Sequence, residues 1–145
     1  MPIRTEKHIT RQMLRDAPDT LWVFGDNLQR KGLGGQAAEM RGEPNAVGIP
    51  TKKAPGMHPV NFFKDYDLET YRKAREPDLV RLIRHLSKGG EVVLPADGLG
   101  TGRAKLKQAA PAIWTELQDD MDSLRAVVIA LAITGTWPAN RNDAA

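Results

Sequence analysis

Two short segments of this sequence concentrate the residues whose types and spacing could do chemistry. The first runs Gly25-Asp26-Asn27 and on to Gly32-Leu33-Gly34-Gly35-Gln36, and the second is Asp97-Gly98-Leu99-Gly100-Thr101-Gly102. Glycine has no side chain, so backbone N–H groups in such loops approach a ligand closely. Where a loop opens a helix, the N-terminal end adds a positive field that suits an anion such as a diphosphate. Thr101 contributes a hydroxyl, and Asp26, Asn27 and Asp97 place carboxylate and amide groups at the loop ends. Seven of the 13 glycines fall in these two segments. Neither holds the Gly-x4-Gly-Lys-Ser/Thr spacing of a P-loop, and Gly32-Leu33-Gly34-Gly35 lacks the third-glycine spacing of a dinucleotide fingerprint, which disfavours ATP hydrolysis and hydride transfer.

Elements that could hold these loops alternate along the chain. Residues 21–24 (Leu-Trp-Val-Phe) form an apolar run closed by Gly25-Asp26-Asn27, the pattern of a buried strand ending in a turn. Residues 33–40 suit a helix stopped by Gly42, and residues 46–49 read as a second strand. Pro50, Pro55, Gly56 and Pro59 break residues 51–67 into an irregular excursion with the makings of a lid. Residues 78–87 place Leu79, Val80, Leu82, Ile83 and Leu86 at helical spacing, with Pro77 in the first turn and Gly89-Gly90 as the stop. Residues 91–95 predict a third strand and residues 105–117 an amphipathic helix. Residues 126–133, a continuous apolar run, predict a last strand covered on both faces. This order predicts an α/β fold, a three-layer α/β/α sandwich with a mixed, mostly parallel sheet. In such sheets ligands sit beyond the carboxyl ends of the strands, where both glycine loops fall.

The composition bounds the rest. A chain of 145 residues with 41% hydrophobic and 27% charged residues reads as one domain over residues 1–137, with a flexible tail at 138–145. A net charge of +3 is too small a surplus for coating a polyanion. Without cysteine there is no disulfide, thiolate zinc site or cysteine nucleophile, and His8, His58 and His85 lack metal-ligand spacing, so neither metal nor cofactor is expected. No signal peptide or membrane-length apolar run is visible, which points to a cytoplasmic protein. Arg4, Lys7, Arg11 and Arg15 read as a solvated face, with Arg11 within reach of an anionic ligand if its segment packs over the pocket. Lys52, Lys53, Arg103, Lys105 and Lys107 flank the glycine loops and would raise the local positive potential. Trp22 and Trp114 read as core residues.

The run Gly25-Asp26-Asn27 leading to Gly32-Leu33-Gly34-Gly35-Gln36-Ala37-Ala38, and the run Leu94-Pro95-Ala96-Asp97-Gly98-Leu99-Gly100-Thr101-Gly102, resemble the two ligand loops of macrodomains. Val47-Gly48-Ile49-Pro50-Thr51-Lys52-Lys53 is similar to a strand of the branch that contains terminal ADP-ribose protein glycohydrolase. The similarity runs in order from about Leu21 to Leu131. It implies an ADP-ribose ligand, with Asn27 near the distal ribose. Gly25, Gly34, Gly35 and Gln36 would approach from the first loop, and Gly98, Leu99, Gly100, Thr101 and Gly102 would cradle the diphosphate. The loop at residues 134–137 would meet the adenine edge.

The implied function is binding of ADP-ribose or a related nucleotide diphosphate, extended to metal-independent hydrolysis of ADP-ribosyl linkages on protein or nucleic acid if Asp26, Asn27 or Asp97 reaches the anomeric carbon. Against catalysis, Asp26 has an equal claim to cap its turn, and Asp97 to bond neighbouring loop N–H groups. The alternatives are a non-enzymatic ADP-ribose reader or sink, and a basic accessory protein that contacts nucleic acid through Lys52, Lys53, Arg103, Lys105 and Lys107.

Overall fold

Alternation along each strand decides what the sheet covers. In β2 (Leu21–Asn27), Leu21 and Val23 belong to one apolar cluster while Trp22 and Phe24 belong to another. In β4 (Val92–Pro95), Val92 and Leu94 join the first cluster and Val93 the second. A strand with apolar side chains on both faces has to be covered on both, and the computed structural model, which describes residues 2–135, shows helices on each side. The four strands, with β1 (Ile3–Glu6) and β3 (Ala46–Lys52) added, form one sheet in the order β1-β4-β2-β3, and every described pair is parallel. The fold is a three-layer α/β sandwich. No antiparallel strand appears among the described residues, so the sheet is not the mixed one expected.

One face carries α1 (Arg11–Asp16) and α2 (Ala37–Met40), whose Leu14, Ala37 and Met40 pack on Trp22, Phe24 and Val93. The other carries α3 (Leu68–Ser87), α4 (Leu106–Ala109) and α5 (Pro111–Thr134), which contribute Tyr71, Leu82, Leu86, Leu106, Ile113, Leu117 and Leu124. Each such side chain, taken out of water, stabilises the fold by about 1.5–3 kcal/mol before entropy is counted. A buried polar contact joins the two long helices: the Tyr71 hydroxyl donates to Asp120 Oδ2 at 2.7 Å, and Arg75 Nε donates to the same oxygen at 3.0 Å.

Several sequence expectations change. Residues 126–133 are not a strand but the last turns of α5. Nothing between Pro111 and Gly135 breaks a helix, and Ile129 and Ile133 are exposed, so the apolar run is not covered on both faces. The helix expected over residues 105–117 is divided. Lys105 is left-handed at φ +45°, α4 lasts four residues, and Ala110 leaves the helical region at φ −147°, because a residue before proline is crowded out of α by the Pro111 ring. Pro77 lies inside α3 rather than in its first turn; the helix begins at Leu68 because Tyr71 is fully buried and Arg72 and Arg75 pair with Glu116 and Asp120 on α5. The excursion after β3 contains short 3-10 turns at Pro59–Asn61 and Asp65–Asp67.

The N-terminal basic residues do not form one solvated face. Arg4 pairs with Glu6 and Glu91 and lies over Trp22, while Arg11 and Arg15 both pair with Glu43. Arg11 is thereby directed to the α2 side and not into a ligand pocket. Trp22 is buried and Trp114 is half-buried. Thr136, Trp137 and the expected tail at 138–145 lie outside the described residues. Among the described residues no helix is long and apolar enough to cross a membrane.

Candidate functional site

β2 and β4 are neighbours, paired at Leu21 with Val92 and Trp22 with Val93, but β2 continues to Asn27 without further pairing to β4. The chain leaving β2 enters α2 on one face, and the chain leaving β4 enters α4 on the other. Adjacent parallel strands whose connections depart to opposite faces leave a crevice beyond their carboxyl ends. That crevice here is a cleft of about 360 Å³. Gly25, Asp26, Asn27, Gly34, Gly35 and Gln36 line it from the first loop, and Asp97, Gly98, Leu99, Gly100, Thr101 and Gly102 from the second. All twelve candidate residues therefore meet around one space.

Their side chains are not equally free. Asp26 is buried, with Oδ1 accepting from Arg41 Nη2 at 2.5 Å and from the Asn27 N–H at 2.8 Å, and Oδ2 accepting from Arg41 Nη1 at 3.2 Å. The same guanidinium donates to the carbonyls of Gly32 and Lys31 at 2.7 and 3.1 Å. Arg41 thus fastens the glycine loop to the end of β2, and Asp26 orients Arg41. Asn27 is equally committed: Nδ2 donates to the Lys31 carbonyl at 2.8 Å and Oδ1 accepts from the Gln29 N–H at 3.0 Å. Gln36 Nε2 donates to the Ile9 carbonyl at 3.0 Å. These three side chains build the loop, and Asp26 and Asn27 have little capacity left for activating water.

The second loop is shaped by backbone. Gly100 has φ +74°, and a Cβ there would lie 2.9 Å from Leu106 Cβ, so both conformation and packing exclude a side chain. The Thr101 hydroxyl donates to the Asp97 carbonyl at 3.0 Å, closing the loop on itself. Leu99 turns into the core. The Asp97 carboxylate is exposed and, among the described residues, has no hydrogen-bond or ion-pair partner. Beyond this loop lies a second cavity of about 310 Å³, walled by Trp114, Leu117 and Met121 with Gln118 and Arg125.

Helix N-termini add less to this site than the sequence suggests, since α2 and α4 have four residues each and carry only a small dipole. Positive charge comes instead from side chains. Lys52, a flanking residue in the sequence reading, lies inside the cleft wall at 8% exposure, its ammonium donating to the Gly56 carbonyl and resting 5.0 Å from the Phe62 ring centre. Burial, and secondarily the charge of Arg103, hold that ammonium below its usual pKa. Lys53, by contrast, is paired with Asp67. The pairing of Arg41 with Asp26 is not legible in the sequence, because the partners lie 15 positions apart and no local pattern announces the pair. Among the described residues no group of three or more His, Asp or Glu side chains is placed to hold a metal ion.

An open, parallel α/β sheet with a glycine-lined crevice at the point where its strand order reverses belongs to the doubly wound class, whose ligands bind at that position. Residues 4–120 match a family of unknown function, DUF7831, and the chain belongs to that family. No curated protein and no solved structure matches it.

Proposed function

We propose that the cleft binds ADP-ribose or a related nucleotide diphosphate, in the manner of the macrodomains that the two loop sequences resemble. The observation carrying this reading is that two glycine loops, leaving adjacent parallel strands toward opposite faces, border one cleft of about 360 Å³. Backbone N–H groups bared by Gly34, Gly35 and Gly100 suit phosphate oxygens, and Lys52 and Arg103 supply cations. The cavity walled by Trp114, Leu117 and Met121 would take the base. Isothermal titration of the full chain tests the reading: ADP-ribose binds at micromolar to millimolar concentration and adenosine more weakly, whereas no heat and no thermal shift with ADP-ribose overturns it.

Binding without turnover is favoured by the engagement of Asp26 and Asn27 in the loop scaffold, which makes the protein a reader or sink for ADP-ribose. Hydrolysis of an ADP-ribosyl linkage on protein or nucleic acid rests on Asp97, the one candidate whose carboxylate is free. As general base it would take a proton from water as the water oxygen bonds to the anomeric carbon and the acceptor leaves. Incubation with mono-ADP-ribosylated protein and nucleic acid decides between them: release that is lost in Asp97→Asn is hydrolysis, and retention without release is reading. Binding to unmodified nucleic acid, falling steeply with salt and indifferent to ADP-ribose, would instead mark the exposed Lys105, Lys107 and Arg103 as a nucleic-acid surface. We assign the protein to the cytoplasm, where cell fractionation would find it.

A further inference from the structure

Arg103 belongs to the second glycine loop, yet its side chain reaches the first. A Cβ built on Gly34 would lie 2.6 Å from Arg103 Nη1 and 3.5 Å from Cζ, so the guanidinium lies against the backbone across the cleft. Among the described residues nothing accepts a hydrogen bond from it and no carboxylate pairs with it, in contrast to Arg30 and Arg41, which are tied to Asp78 and Asp26. Arg103 also lies near enough to Lys52 for its charge to disfavour the ammonium there, and Lys52 is itself bonded to a carbonyl rather than an anion. Lys52 and Arg103 therefore face one cleft, lined also by Lys31 and by the exposed Asp97 carboxylate, whose inner carboxylate, Asp26, is already paired with Arg41. Lys52 is buried in the cleft wall while Arg103 is exposed at its mouth, so a ligand with two negative charges close together meets both cations at once.

We propose that Arg103 is a guanidinium strap that closes over a bound diphosphate, making the cleft selective for two linked phosphates over one. A guanidinium presents several N–H donors in one plane and can bridge oxygens of neighbouring phosphates, which an ammonium cannot. Gly34 is needed beneath it because any side chain would push the strap away. This role deepens the proposed nucleotide diphosphate binding and rests on it for the identity of the ligand, but not for the anion chemistry.

The test is calorimetric titration of the full chain and its Arg103→Ala, Arg103→Gln and Arg103→Lys variants with ADP-ribose, inorganic pyrophosphate, AMP and adenosine. Losing charged hydrogen bonds to the diphosphate lowers affinity for ADP-ribose and pyrophosphate by about 10- to 100-fold in the Ala and Gln variants. Arg103→Lys recovers part of the loss, AMP is affected less, and adenosine not at all. If Arg103→Ala binds ADP-ribose as tightly as the parent, the strap is refuted and the proposed function stands. If pyrophosphate binds in an Arg103-dependent way but ADP-ribose does not bind, the strap stands and the ADP-ribose reading falls. Equal losses for AMP and pyrophosphate refute the selectivity, and absence of binding by either diphosphate refutes both.

Discussion

Replacing Asp26 by alanine separates a scaffold role from a catalytic one. The carboxylate side chain is 3% exposed and holds an Arg41 guanidinium that is 20% exposed, with the shorter contact at 2.5 Å. Removing one partner of a buried pair costs about 3–5 kcal/mol, because the other is left without compensation. Arg41 keeps its bonds to the Lys31 and Gly32 carbonyls and some access to water, so the low end, about 3 kcal/mol, applies to Asp26→Ala. For a chain of this length that lowers Tm by roughly 6–12 °C. Arg41→Ala leaves the more deeply buried carboxylate with the Asn27 N–H at 2.8 Å and Arg30 at 3.7 Å, and costs a similar amount. The double variant loses about 1–3 kcal/mol less than the sum, since neither charge is then left alone. Thermal and urea denaturation followed by circular dichroism measure all three. A Tm change under about 2 °C for Asp26→Ala, or strict additivity of the pair, would refute the claim that this ion pair fastens the loop.

Other consequences are equally measurable. Gly100→Ala costs about 1–3 kcal/mol in urea denaturation, because a left-handed alanine also meets Leu106, whereas Gly102→Ala, with open space around it, is near neutral. Burial raises the Asp120 carboxyl above its usual 3.8, so the folded state holds that proton more tightly than the unfolded chain. Wild-type stability relative to Asp120→Asn therefore declines as pH rises from about 3.8 through the folded-state value, a trend that denaturant midpoints across that window will show or exclude. A bound dianion raises the depressed Lys52 ammonium, so nucleotide diphosphate binding takes up protons and weakens as pH climbs from Lys52's free-state value, below 10.5, toward its bound one. Calorimetry in buffers of different ionisation enthalpy detects that uptake, and Lys52→Met abolishes it.

The parts of the fold legible in the sequence are those where one local rule acts alone. β2, β3 and β4 are apolar runs bounded by turn residues, and both glycine loops follow from their composition. β1 was invisible because an edge strand paired only with β4 can keep Arg4, Thr5 and Glu6 among its four residues. Residues 126–133 looked like a strand because a short apolar run carries no period of its own; only their continuity with the helix from Pro111 decides the matter. Within the site, the positions were readable but the commitments of the side chains were not. Asp26 and Asn27 read as catalytic candidates by type, and only the fold brings Arg41 and the Lys31 carbonyl against them. Arg103 read as one basic residue among five, and its reach to Gly34 depends on how two loops from separate strands face each other.

In the proposed function the two glycine loops hold one diphosphate ligand between them. Amide chemical shifts of 15N-labelled protein titrated with ADP-ribose report on it directly, residue by residue. The largest shifts are expected on Gly34, Gly35, Gly98, Gly100 and Gly102, saturating with a single dissociation constant. Spectra that do not change, or shifts confined to residues away from both loops, would contradict it.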